Sequence, residues 1–491
     1  MGVLSKLEPE KVFAFFEEIS RIPRGSGNME QISDYLADFA RKRGLAYLQD
    51  EWKNVVIIKE ATPGYEKEPP IILQGHMDIV AVKKPDCDID MEKEGLRLAV
   101  RGDEIYAEGT SLGGDDGIAV AYALAALDSE NLRHPRLEAV LTVDEERGME
   151  GARVVDLSLV TGRRMINIDS REEGLLLAGC AGGVRVECDL KLSMEEREGA
   201  AVEVILGGLR GGHSGEEIHH GRGNSNCLFG RLLYRLTKLL PVGLGEVRGG
   251  TAANAISRET RAVLVAGRED VEELLEIIRI EEKEIREELG GKDPEVYIKA
   301  GALDRGTFSC AGVQDTRRAA AFLAALPNGV QGMSQDFPGV VETSLNMGVL
   351  DCVNGSLRAK FVLRSSVESA KYALRDRICA LTELAGGSNR ITNDYPGWKY
   401  CKDSPLREKM IAVYRKMYGR DPKVDGIHAG LECGILGSRM PGLDCVAIAP
   451  DMKGLHTTEE TLSISSARRV WEYLTAVLEE KDGSIEARPL A

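Results

Sequence analysis

The pattern of apolar and polar positions divides the chain into stretches of different character. Over residues 9–19, Phe13, Phe16 and Ile19 recur at helical spacing behind a proline suited to a helix's first turn. Ile32, Tyr35, Leu36 and Phe39 give a second helical face, with Asn28 placed as its N-cap and Gln31 to complete a capping box. Short strand-like runs follow at 46–49 and 54–59. Ile71, Ile72 and Leu73 then form an unbroken apolar run, as a buried central strand does. Residues 101–108 read as a hairpin, 113–126 as a glycine-rich turn opening a long apolar helix, and 137–143 and 165–168 as further buried strands. Strands alternating with helices predict an α/β fold: a mixed, mainly parallel central sheet with helices on both faces.

After the glycines at 179–183 the period changes. Residues 184–192 and 201–206 alternate as in an antiparallel sheet, and 271–289 is a charged amphipathic helix. Residues 251–278 and 342–381 echo each other, the first an asparagine-containing turn, strand and helix, the second an asparagine-containing turn, two strands and a helix. Residues 184–393 therefore read as an inserted α+β lid and substrate-binding domain. It is built either from two related halves or from two αβ units alike by chance. From about 395 the first pattern returns, with helices at 406–418 and 465–478 and a strand at 445–449. The catalytic domain is thus expected to comprise 1–183 and 394–491.

Composition removes some functions. A net charge of −16 argues against nucleic acid or an anionic membrane as partner, since phosphates need clustered Lys and Arg. No apolar run is long enough to span a bilayer, residues 1–10 lack a signal-peptide pattern, and ten scattered cysteines without a Cys-x-x-Cys pair suit a reducing cytoplasm. Histidine is scarce, at seven residues, so each needs a reason. His134, beside Pro135 in a polar loop, reads as a surface residue. His219 and His220 read as loop hydrogen-bonding groups.

The chemistry gathers after the apolar runs, where strand ends of an α/β sheet carry active groups. In order these are H-M-D at 76–78, G-G-D-D-G at 113–117, D-E-E at 144–146, Asp169, and L-H-T-T-E at 455–459. Two residues apart on a strand, His76 and Asp78 share a side. Two histidines and several carboxylates without cysteine suit a hard-to-borderline divalent metal such as zinc, manganese or cobalt. The carboxylates are numerous enough for two ions sharing a bridging one. Glu145 and Glu146, adjacent past a strand end, diverge, so one can bind metal while the other moves a proton.

These motifs resemble the co-catalytic metallopeptidase superfamily of aminoacylases, carboxypeptidases and dipeptidases, and within it most nearly the bacterial aminoacyl-histidine (carnosine-cleaving) dipeptidases. The likeness runs nearly end to end. It includes Q-G-H-M-D at 74–78, T-S-L-G-G-D-D-G-I at 110–118, G-G-H-S-G-E-E-I-H at 211–219, G-V-V-E-T-S-L-N at 339–346 and H-A-G-L-E-C-G at 428–434. It implies two divalent metals, zinc first among the candidates, acting on a small peptide. By it His76 and Asp169 hold one ion, Glu146 and His456 the other, and Asp115 bridges them. Asp78 orients His76, and Glu145 is general base and then general acid. The same likeness places His213 on the developing oxyanion, Asn254 and Arg364 on the substrate backbone and terminal carboxylate, and Gly430 and Glu432 along the same pocket. In smaller relatives the oxyanion histidine comes from a dimer partner, so a homodimer and a histidine acting within one chain are both open. Two positions depart from the pattern. Asp116 stands where asparagine is associated with the nearest relatives, adding a charge that bears on metal preference, and His456 is followed by Thr457-Thr458 rather than Ser-Pro.

Other readings compete. Residues 109–113 fit G-x-S-x-G, which would make Ser111 a nucleophile served by His456. That motif wants its helix directly after the serine, and it leaves the carboxylate loops unexplained. A catalytically silent metal-binding homologue is the reading from another class, opposed by Glu145 beside a full ligand set. Within the enzymes, an aminoacylase or carboxypeptidase would share the metal core.

Overall fold

A computed structural model describes residues 2–483. Met1 and residues 484–491, assigned by sequence to the first domain, lie outside the described residues. The chain forms two compact units. One comprises Met1–Cys180, Trp398–Gly426 and Leu431–Ala491; the other comprises Ala181–Gly397 and Ile427–Gly430.

The first unit is built on an eight-stranded sheet. Its order is Ala46–Gln49, Val55–Lys59, Leu137–Thr142, Ile71–His76, Arg164–Asn167, Asp444–Ala447, Leu175–Cys180, Lys423–Ile427. The four strands from Leu137–Thr142 to Asp444–Ala447 run parallel. All six residues of Ile71–His76 and of Leu137–Thr142 are buried, which is why they read as continuous runs rather than as alternation. Helix Gly114–Asp128 is buried on nearly every side and joins a core with Phe13 and Phe16 of helix Glu10–Ser20. Truncating either phenylalanine to alanine would cost about 3–5 kcal/mol in a core so filled.

Two local expectations fail here. Helix Glu30–Lys42 takes Met29, not Asn28, as its N-cap; the Asn28 amide instead donates to the Glu92 carbonyl at 2.9 Å. The tertiary partner outcompetes the local cap. His134 is fully buried rather than exposed, its Nδ1 2.7 Å from the Pro135 carbonyl. The turn at Thr62 bonds the His134 backbone in both directions, covering a loop whose composition alone suggested solvent.

The second unit contains a nine-stranded sheet with two βαββαβ halves. Strands Met194–Gly207, Gly243–Gly249, Thr260–Ala266 and Tyr297–Ala311 lie in the order fourth, first, third, second, with helices Ser225–Leu239 and Val271–Leu289. The other half mirrors that order with Gly182–Lys191, Val341–Val353, Ser356–Ser365 and Ser388–Tyr395, and helices Val313–Ala325 and Glu368–Leu384. The halves meet where Gly243–Gly249 pairs with Val341–Val353. The two segments that echo in sequence share the third strand and second helix of their halves, and 342–381 takes in the second strand as well. Among the described residues no helix is long and apolar enough to cross a membrane.

Candidate active site

The parallel strands of the first unit deliver their polar groups just past their ends. His76 is the last residue of its strand and fully buried. Its Nε2 lies 3.1 Å from Asp115 Oδ1, while the Nε2 of His456 lies 3.3 Å from Asp115 Oδ2 and 2.8 Å from Glu146 Oε1. One carboxylate therefore presents one oxygen to each imidazole. Three sets of ligand atoms each lie within 4.8 Å of one another: His76, Asp116 and Asp169; His76, Glu145 and Glu146; Asp115, Glu146 and His456.

Backbone geometry sets these directions. Asp144 adopts φ 51°, in the left-handed region, so the chain turns sharply before Glu145 and Glu146. His456 is left-handed as well, at φ 62°. The Asp115–Asp116 peptide is cis. Asp78 is tied to His76, with its carbonyl 3.1 Å and its Oδ1 3.4 Å from Nδ1. Its carboxylate does more: Oδ1 accepts from the Glu145 N–H at 3.0 Å and Oδ2 from the Glu146 N–H at 3.2 Å. Asp78 thus holds the paired glutamates as well as the histidine.

The electrostatics are those of an anionic cage. Burial and the charges of Asp169, Glu146 and Glu432 push the Glu145 carboxyl well up, against an opposing pull from His76. Burial and Asp115 do the same to Asp169. Asp116 is raised by burial and by Asp169, and its Oδ1 is buried without a hydrogen-bond partner. His456 rises to about 10 through its bonds to Asp115 and Glu146. Acids this crowded fit a divalent cation, whose charge satisfies them together.

A carboxylate missed by sequence reading completes the cage's wall. Glu460, buried, accepts from the N–H groups of Leu112, Gly113 and Gly114, each at 2.9 Å, and of Asp115 at 3.4 Å. It fixes the loop carrying Asp115 to the segment carrying His456. Its only signal was a second acid beside Glu459. Ser111 is no free nucleophile: its buried hydroxyl donates to the Val80 carbonyl at 2.6 Å.

Glu432 falls in this unit. It opens helix Glu432–Arg439 fully buried, its Oε2 2.5 Å from Gln74 Nε2 and 2.6 Å from Thr142 Oγ1, and burial raises it to about 7. The structure groups it with the cage acids, whereas Gly430, expected beside it, clusters with the second unit.

In the second unit His213, Arg364 and His428 converge on Gly215. A Cβ built there would stand 3.1 Å from His213 Cε1, 3.1 Å from Arg364 Nε and 2.6 Å from the His428 carbonyl, so glycine is required for the three to approach. His213 pairs with Ala255 across a short ladder, and its N–H donates to Glu217 at 2.7 Å. Asn254 is exposed on the adjoining turn, which the buried Asn346 braces by donating to the carbonyls of Ala253 and Ala255 at 3.1 and 2.8 Å. Arg364 is mostly buried, with Nε unpartnered and Nη1 3.4 Å from the Tyr395 hydroxyl. His219 and His220 form a short exposed turn with their rings 4.0 Å apart.

Histidines and carboxylates gathered around the ends of a parallel sheet, with a paired glutamate beside them, fit a hydrolase of the metallopeptidase kind. The family model described as "Peptidase family M20/M25/M40" matches residues 72–480, and the chain belongs to that family. Among individual relatives, it is 35% identical to the cytosol non-specific dipeptidase of Escherichia coli (strain K12) over 484 residues, 98% of this chain and 99% of the relative. The crystal structure of aminoacylhistidine dipeptidase from Vibrio alginolyticus superposes with a TM-score of 0.90 at 34% identity, covering 98% and 99% of the two chains. A tripeptidase from Staphylococcus aureus shares the fold at 15% identity, with a TM-score of 0.54 over 96% and 98% of the chains.

Proposed function

We propose that the chain is a metallodipeptidase that hydrolyses Xaa-His dipeptides such as carnosine together with a broader set of dipeptides. The observation that carries the reading is Asp115, whose two oxygens face His76 and His456 separately, as a bridging ligand's must. His76, Asp115 and Asp169 would hold one divalent ion and Asp115, Glu146 and His456 the other, zinc in preference to manganese or cobalt. When bound, the pair supplies Lewis acidity toward an attacking water and the scissile carbonyl.

Glu145 takes the proton of the attacking water on its carboxylate and passes it to the departing amine. Its environment suits both halves of that task, because burial and neighbouring acids raise its proton affinity. Asp78 orients His76 and keeps Glu145 aimed through the backbone N–H it accepts. His213 donates to the carbonyl oxygen as it gains charge. Arg364 takes the substrate's terminal carboxylate with its planar guanidinium, and Asn254 the peptide backbone. The measurement that tests the reading is hydrolysis of a dipeptide panel including carnosine, with metal analysis of the same sample. Two metals per chain and chelator-sensitive cleavage are expected. Cleavage of N-acyl amino acids alone would favour an aminoacylase instead. Mixing His213→Ala with Glu145→Gln protein decides where the oxyanion donor comes from: restored activity requires donation between two copies, and none requires it within one.

A further inference from the structure

Residues 24–27 lie between the first two helices and outside the residues 72–480 that the family model matches. They nonetheless touch three loops of the cage. The Arg24 carbonyl accepts from the Ile79 N–H at 3.1 Å and the Ser26 N–H donates to the Ile79 carbonyl at 3.2 Å, laying the segment along the chain just past His76 and Asp78. The Ser26 hydroxyl donates to Asp78 Oδ2 at 2.8 Å. The Gly27 N–H donates to Asp144 Oδ1 at 2.5 Å, immediately before the paired glutamates. Arg24 reaches the third loop: Nη1 donates to the Met77 carbonyl at 3.0 Å and Nη2 to the Gly113 carbonyl at 2.8 Å.

Arg24 is only 1% exposed. A guanidinium so placed is costly to desolvate unless charges and acceptors offset the loss of water. Two carbonyls do part of that, and Glu460, Asp78, Asp116 and Asp115 supply the opposing field; burial lowers its pKa only to about 10, so it stays a cation. The glycines of the Asp115 loop leave room for it. A Cβ on Gly117 would sit 2.4 Å from Nη2, and one on Gly113 3.0 Å away.

We propose that residues 24–27 are the strap holding the ligand loops in register, and that Arg24 is the cage's built-in counter-charge. The strap positions Asp78, the Glu145–Glu146 turn and the Asp115 loop against one another, and Arg24 keeps the crowded acids tolerable before cations bind. The inference rests on the cage being a cation site, which the wild-type control tests separately.

The experiment is thermal unfolding of the full chain, zinc-loaded and chelator-stripped, for wild type, Arg24→Met, Arg24→Lys and Ser26→Ala, with kcat and KM on one dipeptide. A packing role would lower both forms alike. The counter-charge role lowers the stripped form of Arg24→Met at least twice as far as the loaded one, because zinc replaces the lost charge. Arg24→Lys restores most of the stripped-form midpoint. With the two-carbonyl fork gone, its kcat still falls roughly tenfold at near-constant KM, the signature of displaced groups. Ser26→Ala, which cuts only the Asp78 link, lowers kcat in the same manner. Equal losses in both forms of Arg24→Met, or lysine no better than methionine, would overturn the counter-charge. If the methionine variant does not fold, the other two decide: unchanged kcat in both overturns the strap. Wild type indifferent to zinc would instead overturn the cation site.

Discussion

The two units gather polar groups by different means. In the first, acids crowd together around the ends of parallel strands, where burial and neighbouring acids raise the proton affinity of Glu145 and Asp169, with backbone N–H groups and the Arg24 strap keeping the loops in place. In the second, His213, Arg364 and His428 meet around Gly215, in the turn after the short strand Gly212–His213, and burial with the Arg364 charge drives His428 down to about 3. The first arrangement suits metal and proton work. The second suits an anionic, hydrogen-bond-accepting part of a substrate.

The most severe way to break the contrast is at the proton carrier. Glu145→Gln should lower kcat by roughly 10³-fold, the scale of a lost general base, while metal content stays that of the wild type. Equal loss of metal would move Glu145 into the ligand set. Next, Arg364→Ala should lower kcat/KM by about 100-fold on dipeptides with a free carboxylate, the scale of a charged hydrogen bond removed, and far less on amidated ones. Similar losses on both would take carboxylate recognition away from Arg364.

A smaller effect separates the units by pH. Unfolded, His428 would take up a proton near its ordinary 6.5, whereas folded it resists down to about 3. Between those values the unfolded chain binds the additional proton, so stability falls as pH drops through that window, by at most about 1.4 kcal/mol per pH unit. Urea midpoints of wild type should therefore fall more steeply from pH 6.5 to 4.5 than those of His428→Gln; parallel slopes would contradict the assignment. Smallest of all, Ser111→Ala should change kcat/KM less than about twofold, because the hydroxyl is tied to backbone, donating to the Val80 carbonyl at 2.6 Å and accepting from the Val82 N–H at 3.3 Å, and its loss disturbs only that local contact.

Much of this was readable from the chain. His76, Glu146 and Asp169 each follow an apolar run that becomes a parallel strand, so their ends share one edge, while Asp115 opens the apolar helix Gly114–Asp128 and His456 follows the short strand Met452–Lys453. That geometric necessity makes scattered motifs legible as one group. Groups that reach across loops carried no such mark. Arg24 and Ser26 sit in a short connection whose partners lie fifty to ninety positions away, so no period reports them. Asp78 pointed to His76 by spacing, yet its bonds to the Glu145 and Glu146 N–H groups exist only once the strands align. His134 and Asn28 were misplaced for the same reason: local composition describes a loop, and the neighbour that covers it is supplied by the fold.

The strand Asp444–Ala447 has a consequence for how the molecule is made. It lies between Arg164–Asn167 and Leu175–Cys180, both finished long before it leaves the ribosome. Until it arrives, those two neighbours present unpaired edges, and the emerging polypeptide must be kept from pairing them elsewhere. His456 comes later still. With His456 in the proposed ligand set, cutting would begin only after that late segment has emerged and folded against the strands before it.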